Sequence, residues 1–463
     1  MQDFACSAMI NDDPKGQFMA NMRRMAALAA IAASSALVLA ACSTDPEDSN
    51  SPAPTGDSTT PVELTWWHNA VAGDDGGNPL GDFWQKVADD YTAAHPNVTF
   101  KIEQIQNEDL QRTRIPTALQ AGDAPDIFQQ WGGGELADQV EAGYLMDLST
   151  VDADAIAKLG GAVAPWQTDG KTYGLPFQFG VEGIWYRKSL FEQAGITAEP
   201  TTMDELNADV AKLKAANIIP IAVGAGDKWP AAHWWYNFAL RSCSKEVLQA
   251  SGTSFDFSDP CWVQAGTDLQ TFIDTKPFQP DFTSTVAQTG ATSSAGLVAT
   301  GKAAMELMGA WNPSVYAGFA EGDDAKAELS ADLGWFPMPA TASGQGDPSA
   351  ALGGGDGFSC NVSAPPECAD FLAFIASDEE QAAFAATGIG LPANPSAAGS
   401  VTNENLKELA AVSGAAAYVQ LWLDTTFGAN VGGAMNDGIV AIFGGTGTPQ
   451  GVVDGMTAAA ATQ

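Results

Sequence analysis

From Val62 to Val223 the chain alternates short strand-type runs with helix-type runs, and this alternation narrows its folds more than any other feature. Val62-Glu63-Leu64-Thr65-Trp66-Trp67 reads as a first strand, and residues 82–95 as a helix stopped by Pro96. Residues 98–105 alternate like a strand, 110–121 read as a helix, and 126–129 form a short strand running into Gly132-Gly133-Gly134. A strand-rich stretch at 173–186 comes next. A helix over 202–216 then opens on the capping-type Thr202-Met203-Asp204-Glu205, and a buried strand follows at 218–223. Further helices are expected at 367–376, at 379–386 and from about Asn403 onward. Such alternation belongs to α/β folds with mostly parallel sheets. A chain of 463 residues is too long for one ordinary domain, so two α/β bodies are expected, with a cleft between them.

The N-terminal region carries an export address. Arg23 and Arg24 precede an apolar run from Met25 to Ala41 that ends at Cys42, so residues 1–41 read as a signal peptide whose translation begins at Met19 or Met22. The alternative, an uncleaved anchor helix, has too little apolar length for a span with polar flanks. Leu39-Ala40-Ala41-Cys42 is similar to a bacterial lipobox, which implies lipidation of Cys42. Residues 42–61 then form a polar tether that can bury nothing. The expected location is the extracytoplasmic face of the cell membrane, with membrane contact through the lipid only.

Charge and cysteine usage agree with export. Lys and Arg number 20 against 56 Asp and Glu, for a net charge of -36, which disfavours nucleic acid and anionic lipid as partners. Cys243 with Cys261, and Cys360 with Cys368, are close pairs for which local disulfides are the simplest reading; buried free thiols are the alternative.

Sites for other chemistry are missing. His68, His95 and His233 lack metal-ligand spacing. Gly224-Ala225-Gly226 lacks the third glycine of a dinucleotide loop, and Thr300-Gly301-Lys302-Ala303 lacks a P-loop frame. No metal, cofactor or catalytic residue is expected. Acidic residues are plentiful enough that a carboxylate pair leaves a secreted glycoside-processing enzyme as the alternative reading.

The aromatic residues point elsewhere. Thirteen tryptophans are present, many beside hydrogen-bonding side chains in loop-like contexts: Trp66-Trp67-His68-Asn69, Gln130-Trp131, Lys228-Trp229, His233-Trp234-Trp235, Trp311-Asn312 and Trp422-Leu423-Asp424. Sugars have apolar C–H faces and a hydroxyl rim, so flat rings beside amides and carboxylates suit them. Trp84, Trp185, Trp262 and Trp335 lie in regular apolar patterns and are assigned to the core.

On Trp66-Trp67-His68-Asn69-Ala70, on residues 125–134 with their Gln-Trp-Gly-Gly-Gly end, on Tyr173-Gly174-Leu175-Pro176-Phe177, on residues 186–191, on residues 305–313 and on Gly353-Gly354-Gly355-Asp356-Gly357, the chain resembles the family 1 extracellular solute-binding proteins, the carbohydrate receptors of ABC importers. The resemblance is closest to xylobiose-type lipoproteins. It implies an α/β, two-lobed periplasmic-binding-protein-like fold of type II, with a ligand cleft between lobes joined by hinge strands. Lobe one would hold residues 62–178 and 352–400, and lobe two 179–351 and 401–463. Ligand contacts would come from Trp67, His68, Asn69, Gln130, Trp131, Phe177, Gln178, Glu182, Lys228, Trp229, Trp234, Trp235, Trp311, Asn312, Asp356, Trp422 and Asp424. The implied partners are a short oligosaccharide, xylobiose or a xylo-oligosaccharide first, and the importer's permease subunits. The protein is expected to act as a monomer and not as an enzyme.

Overall fold

Alternating burial along the first strand, β1 (Val62–His68), puts Leu64, Trp66 and His68 in the interior and fixes the register of everything beside it. β1 pairs in parallel with β2 (Val98–Gln104) and β3 (Ile127–Gln130). The connecting helix Pro79–Ala94 has Asn78 as N-cap, with Pro79 in its first turn where no N–H is needed; it ends just ahead of Pro96, as expected. The structure is a computed structural model that describes residues 60–71, 77–150, 153–342 and 344–462. The signal peptide, Cys6, Cys42 and all but the last residues of the tether lie outside the described residues.

Two sheets organise the rest. β4 (Leu175–Val181) belongs to the first sheet, and after the single residue Glu182 the chain enters the second sheet as β5 (Gly183–Arg187). The second sheet is completed by β6 (Ile219–Ala222), β7 (Ala303–Met308) and β8 (Leu333–Pro337), in the order β8-β5-β7-β6. β9 (Ala351–Cys360) returns to the first sheet. It pairs antiparallel with β4 along one edge; along the other it pairs antiparallel with β3 and then parallel with β10 (Val419–Leu421). Helices Glu404–Ala415, Gly428–Phe443 and Pro449–Ala460 close the chain.

Aromatic packing holds the sheets to their helices. Under the first sheet, Trp66 meets Trp84, Phe358 and Phe371 edge-on at 5.6, 5.1 and 5.3 Å. Trp84, Trp185, Trp262 and Trp335 are buried, as their apolar patterns predicted. Both disulfides form. Cys243, the C-cap of helix Trp229–Ser242, joins Cys261 at the start of helix Cys261–Asp274, and Cys360 at the end of β9 joins Cys368 in helix Glu367–Ile375. The capping box at Thr202 and Glu205 is present. Among the described residues no helix is long and apolar enough to cross a membrane.

One helix departs from expectation. Residues 110–121 begin as a wide π-turn, Leu110–Arg114, and tighten to an α-helix only over Ile115–Ala121. Pro116 explains the change: it has no N–H for the carbonyl of Arg112, and its ring crowds the preceding turn, so that turn opens.

Candidate functional site

In open α/β sheets the carboxyl ends of parallel strands leave a crevice, and this protein puts its site residues there. Asn69 follows β1, Trp131 follows β3, Trp229 opens the helix after β6, and Trp311 follows β7. They line one cleft of about 650 Å³, counting its open mouth, together with Leu80, Asn107, Gln111, Gln178, His233, Gln288, Ser314, Asp356, Trp422, Asp424 and Thr425.

The glycine-rich loop after β3 seats Trp131. The Gln130 side chain folds back to accept the backbone N–H groups of Trp131 and Gly132, at 2.9 and 3.0 Å. Gly132 and Gly133 both have positive φ, and a Cβ on Gly132 would sit 2.7 Å from the carbonyl oxygen of Pro165. Asn312 does similar work for Trp311: its amide donates to Glu306 in β7 at 3.1 Å, and Tyr316 donates to the same carboxylate at 2.9 Å. Burial pushes the Glu306 carboxyl up to about 7.

Four rings form a continuous aromatic surface. Trp311 meets Trp422 at 5.6 Å and Trp229 at 6.3 Å, both edge-on, while His233 lies 5.0 Å from Trp229 and parallel to Trp422 at 6.2 Å. Opposite in character is an amide-rich group. Asn69 donates to Asn107 at 2.8 Å, Gln129 donates to Asp356 at 3.2 Å, and Gln178 donates to the other Asp356 oxygen. Burial raises the Asp356 carboxyl to about 6, while the bonds from Gln178, Gln129 and Trp131 pull it down. Asp424 accepts from Arg112 at 2.7 Å and from Asn436 at 3.1 Å, and Arg112 also pairs with Glu135. The π-turn delivers both Arg112 to this network and Gln111 to the cleft.

Of the residues expected at the site, Asn69, Trp131, Gln178, Trp229, Trp311, Asp356, Trp422 and Asp424 line this cleft; the others are placed elsewhere. Trp234 and Trp235 require correction: they stack in the interior on Phe272 at 5.0 Å and on Trp262 at 5.7 Å. Phe177 is likewise interior, against Trp84 at 4.6 Å. His68 is buried, accepts from the Ala70 N–H at 3.2 Å, and is held neutral by burial, which lowers its pKa to about 3. Trp67 lies under the Arg114 guanidinium at 4.9 Å, and Lys228 pairs with Asp437 at 2.6 Å. Gln130, Asn312 and Glu182 support lining residues from behind. Asn107, Gln111, His233, Gln288, Ser314, Thr425 and Leu80 were not anticipated. His233 had a signal: it stands four residues after Trp229 on one helix, so both share a face.

The model of the bacterial extracellular solute-binding protein family matches residues 75–382. The chain belongs to that family. A putative binding protein of Brucella abortus is 31% identical over 209 residues, 44% of this chain and 49% of that protein. This solute-binding protein thus spans about half the length of the curated relatives it matches first. Among solved structures, one from work on xylan utilization by the thermophilic bacterium Caldanaerobius polysaccharolyticus has a TM-score of 0.76 at 23% identity, covering 86% of this chain and 99% of that one. A chitin oligosaccharide binding protein has a TM-score of 0.75 at 24% identity, covering 87% and 98%. At these identities the likeness shows the fold, a two-lobed α/β binding protein with its cleft between lobes joined by hinge strands.

Proposed function

We propose that this chain is the substrate-binding lipoprotein of a carbohydrate ABC importer, and that it captures a short oligosaccharide in the cleft and presents it to the permease. The observation that carries this reading is the convergence of Trp131, Trp229, Trp311 and Trp422 with amide and carboxylate side chains on one cleft. Rings supply stacking faces for the C–H sides of pyranoses, and the amides supply partners for hydroxyls. No Lys or Arg is among the described residues that line the cleft, whereas Asp356 and Asp424 are, which favours an uncharged sugar over a phosphorylated or carboxylated one. Xylobiose or a short xylo-oligosaccharide is the favoured ligand, supported by the family resemblance and by the fold shared with a protein of xylan utilization.

The lobes are proposed as residues 62–178 with 352–400, and 179–351 with 401–463. The change of sheet on either side of Glu182 and the return of the chain in β9 support the first two crossings, whereas β10, within 401–463, pairs with β9 in the first sheet and carries Trp422 at its end. A ligand favours the closed arrangement only by contacting it better than the open one. A micromolar receptor needs about -8 kcal/mol, within reach of a few stacked rings and buried hydrogen bonds. A lipid on Cys42 would hold a monomeric body at the outer membrane face. The test is a thermal-shift screen over common disaccharides followed by calorimetry. Saturable stabilisation by xylobiose with no product released on incubation is expected; no shift with any neutral disaccharide would sink the proposal.

A further inference from the structure

Glu182 is the single residue between β4 of the first sheet and β5 of the second. Its backbone N–H donates to the Leu352 carbonyl at 2.8 Å, inside β9, the strand by which the chain returns to the first sheet. One residue therefore fastens two lobe-crossing strands to each other. Its side chain reaches a different part of the molecule. Oε1 accepts from Trp422 Nε1 at 2.6 Å and lies 2.7 Å from His233 Nδ1. Both of those rings line the cleft and lie parallel within 5°. The Glu182 side chain is fully buried and is not part of the cleft lining, so it does not touch what the cleft holds. A carboxylate out of water needs close donors, which gives Trp422 a strong reason to keep its N–H on this oxygen.

We infer that Glu182 is a positioning residue that couples rotation of the lobes to the placement of the Trp422 and His233 rings. When the crossing strands turn, the carboxylate turns with them, and the Trp422 ring follows the oxygen that accepts its N–H, shifting against the parallel His233 ring. A ligand stacked on those rings then biases the hinge, and the hinge in return sets the affinity of the rings, as any coupling between two positions must be reciprocal. The inference rests on the sugar-binding reading of the same cleft.

The test compares Glu182→Gln with Glu182→Leu in the full exported chain. Gln keeps an oxygen for the Trp422 N–H and Leu does not. With xylobiose as probe, calorimetry is expected to give a loss of about 10-fold or more for Leu, partly recovered by Gln. Small-angle scattering is expected to show less compaction on ligand addition for Leu. Independently of any sugar, indole emission of the free protein should shift in Glu182→Leu, and should not shift further when Trp422→Phe is already present. Equal affinity and compaction in wild type and Leu, or equal losses in Gln and Leu, would overturn the inference. If Leu does not fold, a Glu182→Gln and Trp422→Phe double-mutant cycle replaces it, and additive effects count against coupling. Absence of sugar binding in the wild type overturns the functional reading alone, since the emission comparison still stands or falls by itself.

Discussion

Two groups of residues that line the cleft are built from different chemistry. Asn69, Asn107, Gln111, Gln178 and Asp356, from first-sheet strands, the segments after them and the π-turn, are polar groups, with Asn69 bonded to Asn107, Gln178 to Asp356 and Gln111 to Glu135. Trp229, His233, Trp311 and Trp422, mostly from segments that follow the second sheet, form one aromatic surface. A ring accepts any pyranose face and contributes mainly affinity, whereas amides in fixed positions reject hydroxyls that point the wrong way. A receptor divided in this way can keep its grip while changing its preference. Each group is also pinned by its own disulfide: Cys243–Cys261 at the end of the helix that carries Trp229 and His233, and Cys360–Cys368 at the end of the strand that carries Asp356.

The division can be broken most severely at Trp311. Trp311→Ala should weaken xylobiose binding by about 30- to 150-fold, while Asn69→Ala, at the polar side, should change the ranking of disaccharides more than the affinity for the best one. Calorimetry over a sugar panel checks both, and equal loss for every sugar in both variants would erase the distinction. Next come the disulfides. Loop closure predicts that removing Cys243–Cys261 costs about 3 kcal/mol and removing Cys360–Cys368 about 2.5 kcal/mol, so denaturant midpoints should fall in that order. The smallest effect is at Asp356. Its carboxyl rises from 3.8 to about 6, so the native state holds the proton more tightly than the unfolded chain. The wild type therefore loses stability through this group as pH rises from about 4 to about 6. Asp356→Asn should remove that slope, gain on the order of 1–2 kcal/mol at pH 7, and bind sugar less well. A variant whose melting temperature keeps the wild-type pH dependence would refute it.

Much of the fold could be read in advance because strand and helix periods differ and the stops are chemical: Pro96 after one helix, Thr202 with Glu205 before another. The π-turn could not be placed, since Pro116 announces a disturbance without saying how many residues absorb it. The site was legible where a ring adjoined a turn, as at Trp131 and Trp311. It was misread where rings ran consecutively on a helix. All residues of helix Trp229–Ser242 are buried, so composition gives no inside and outside, yet a step of about 100° per residue turns Trp234 and Trp235 away from the face shared by Trp229 and His233. At the end of β1 the strand period separates Trp66 from Trp67, but nothing local says which faces the helices. Polar lining residues such as Gln288 and Ser314 reach the cleft through tertiary placement that no short pattern records.

Just before Asp356, which lines the cleft, β9 runs through Gly353-Gly354-Gly355 as bare backbone. A Cβ on Gly353 would meet the Gly180 carbonyl at 2.4 Å, one on Gly354 the Trp422 ring at 2.6 Å, and one on Gly355 the Gln178 carbonyl at 2.2 Å. Any side chain there would displace either a neighbouring strand or the indole resting on it. Divergence toward new solutes is thereby channelled: substitutions that retune the cleft must accumulate in the loops at the strand ends, while this stretch of main chain can scarcely drift at all.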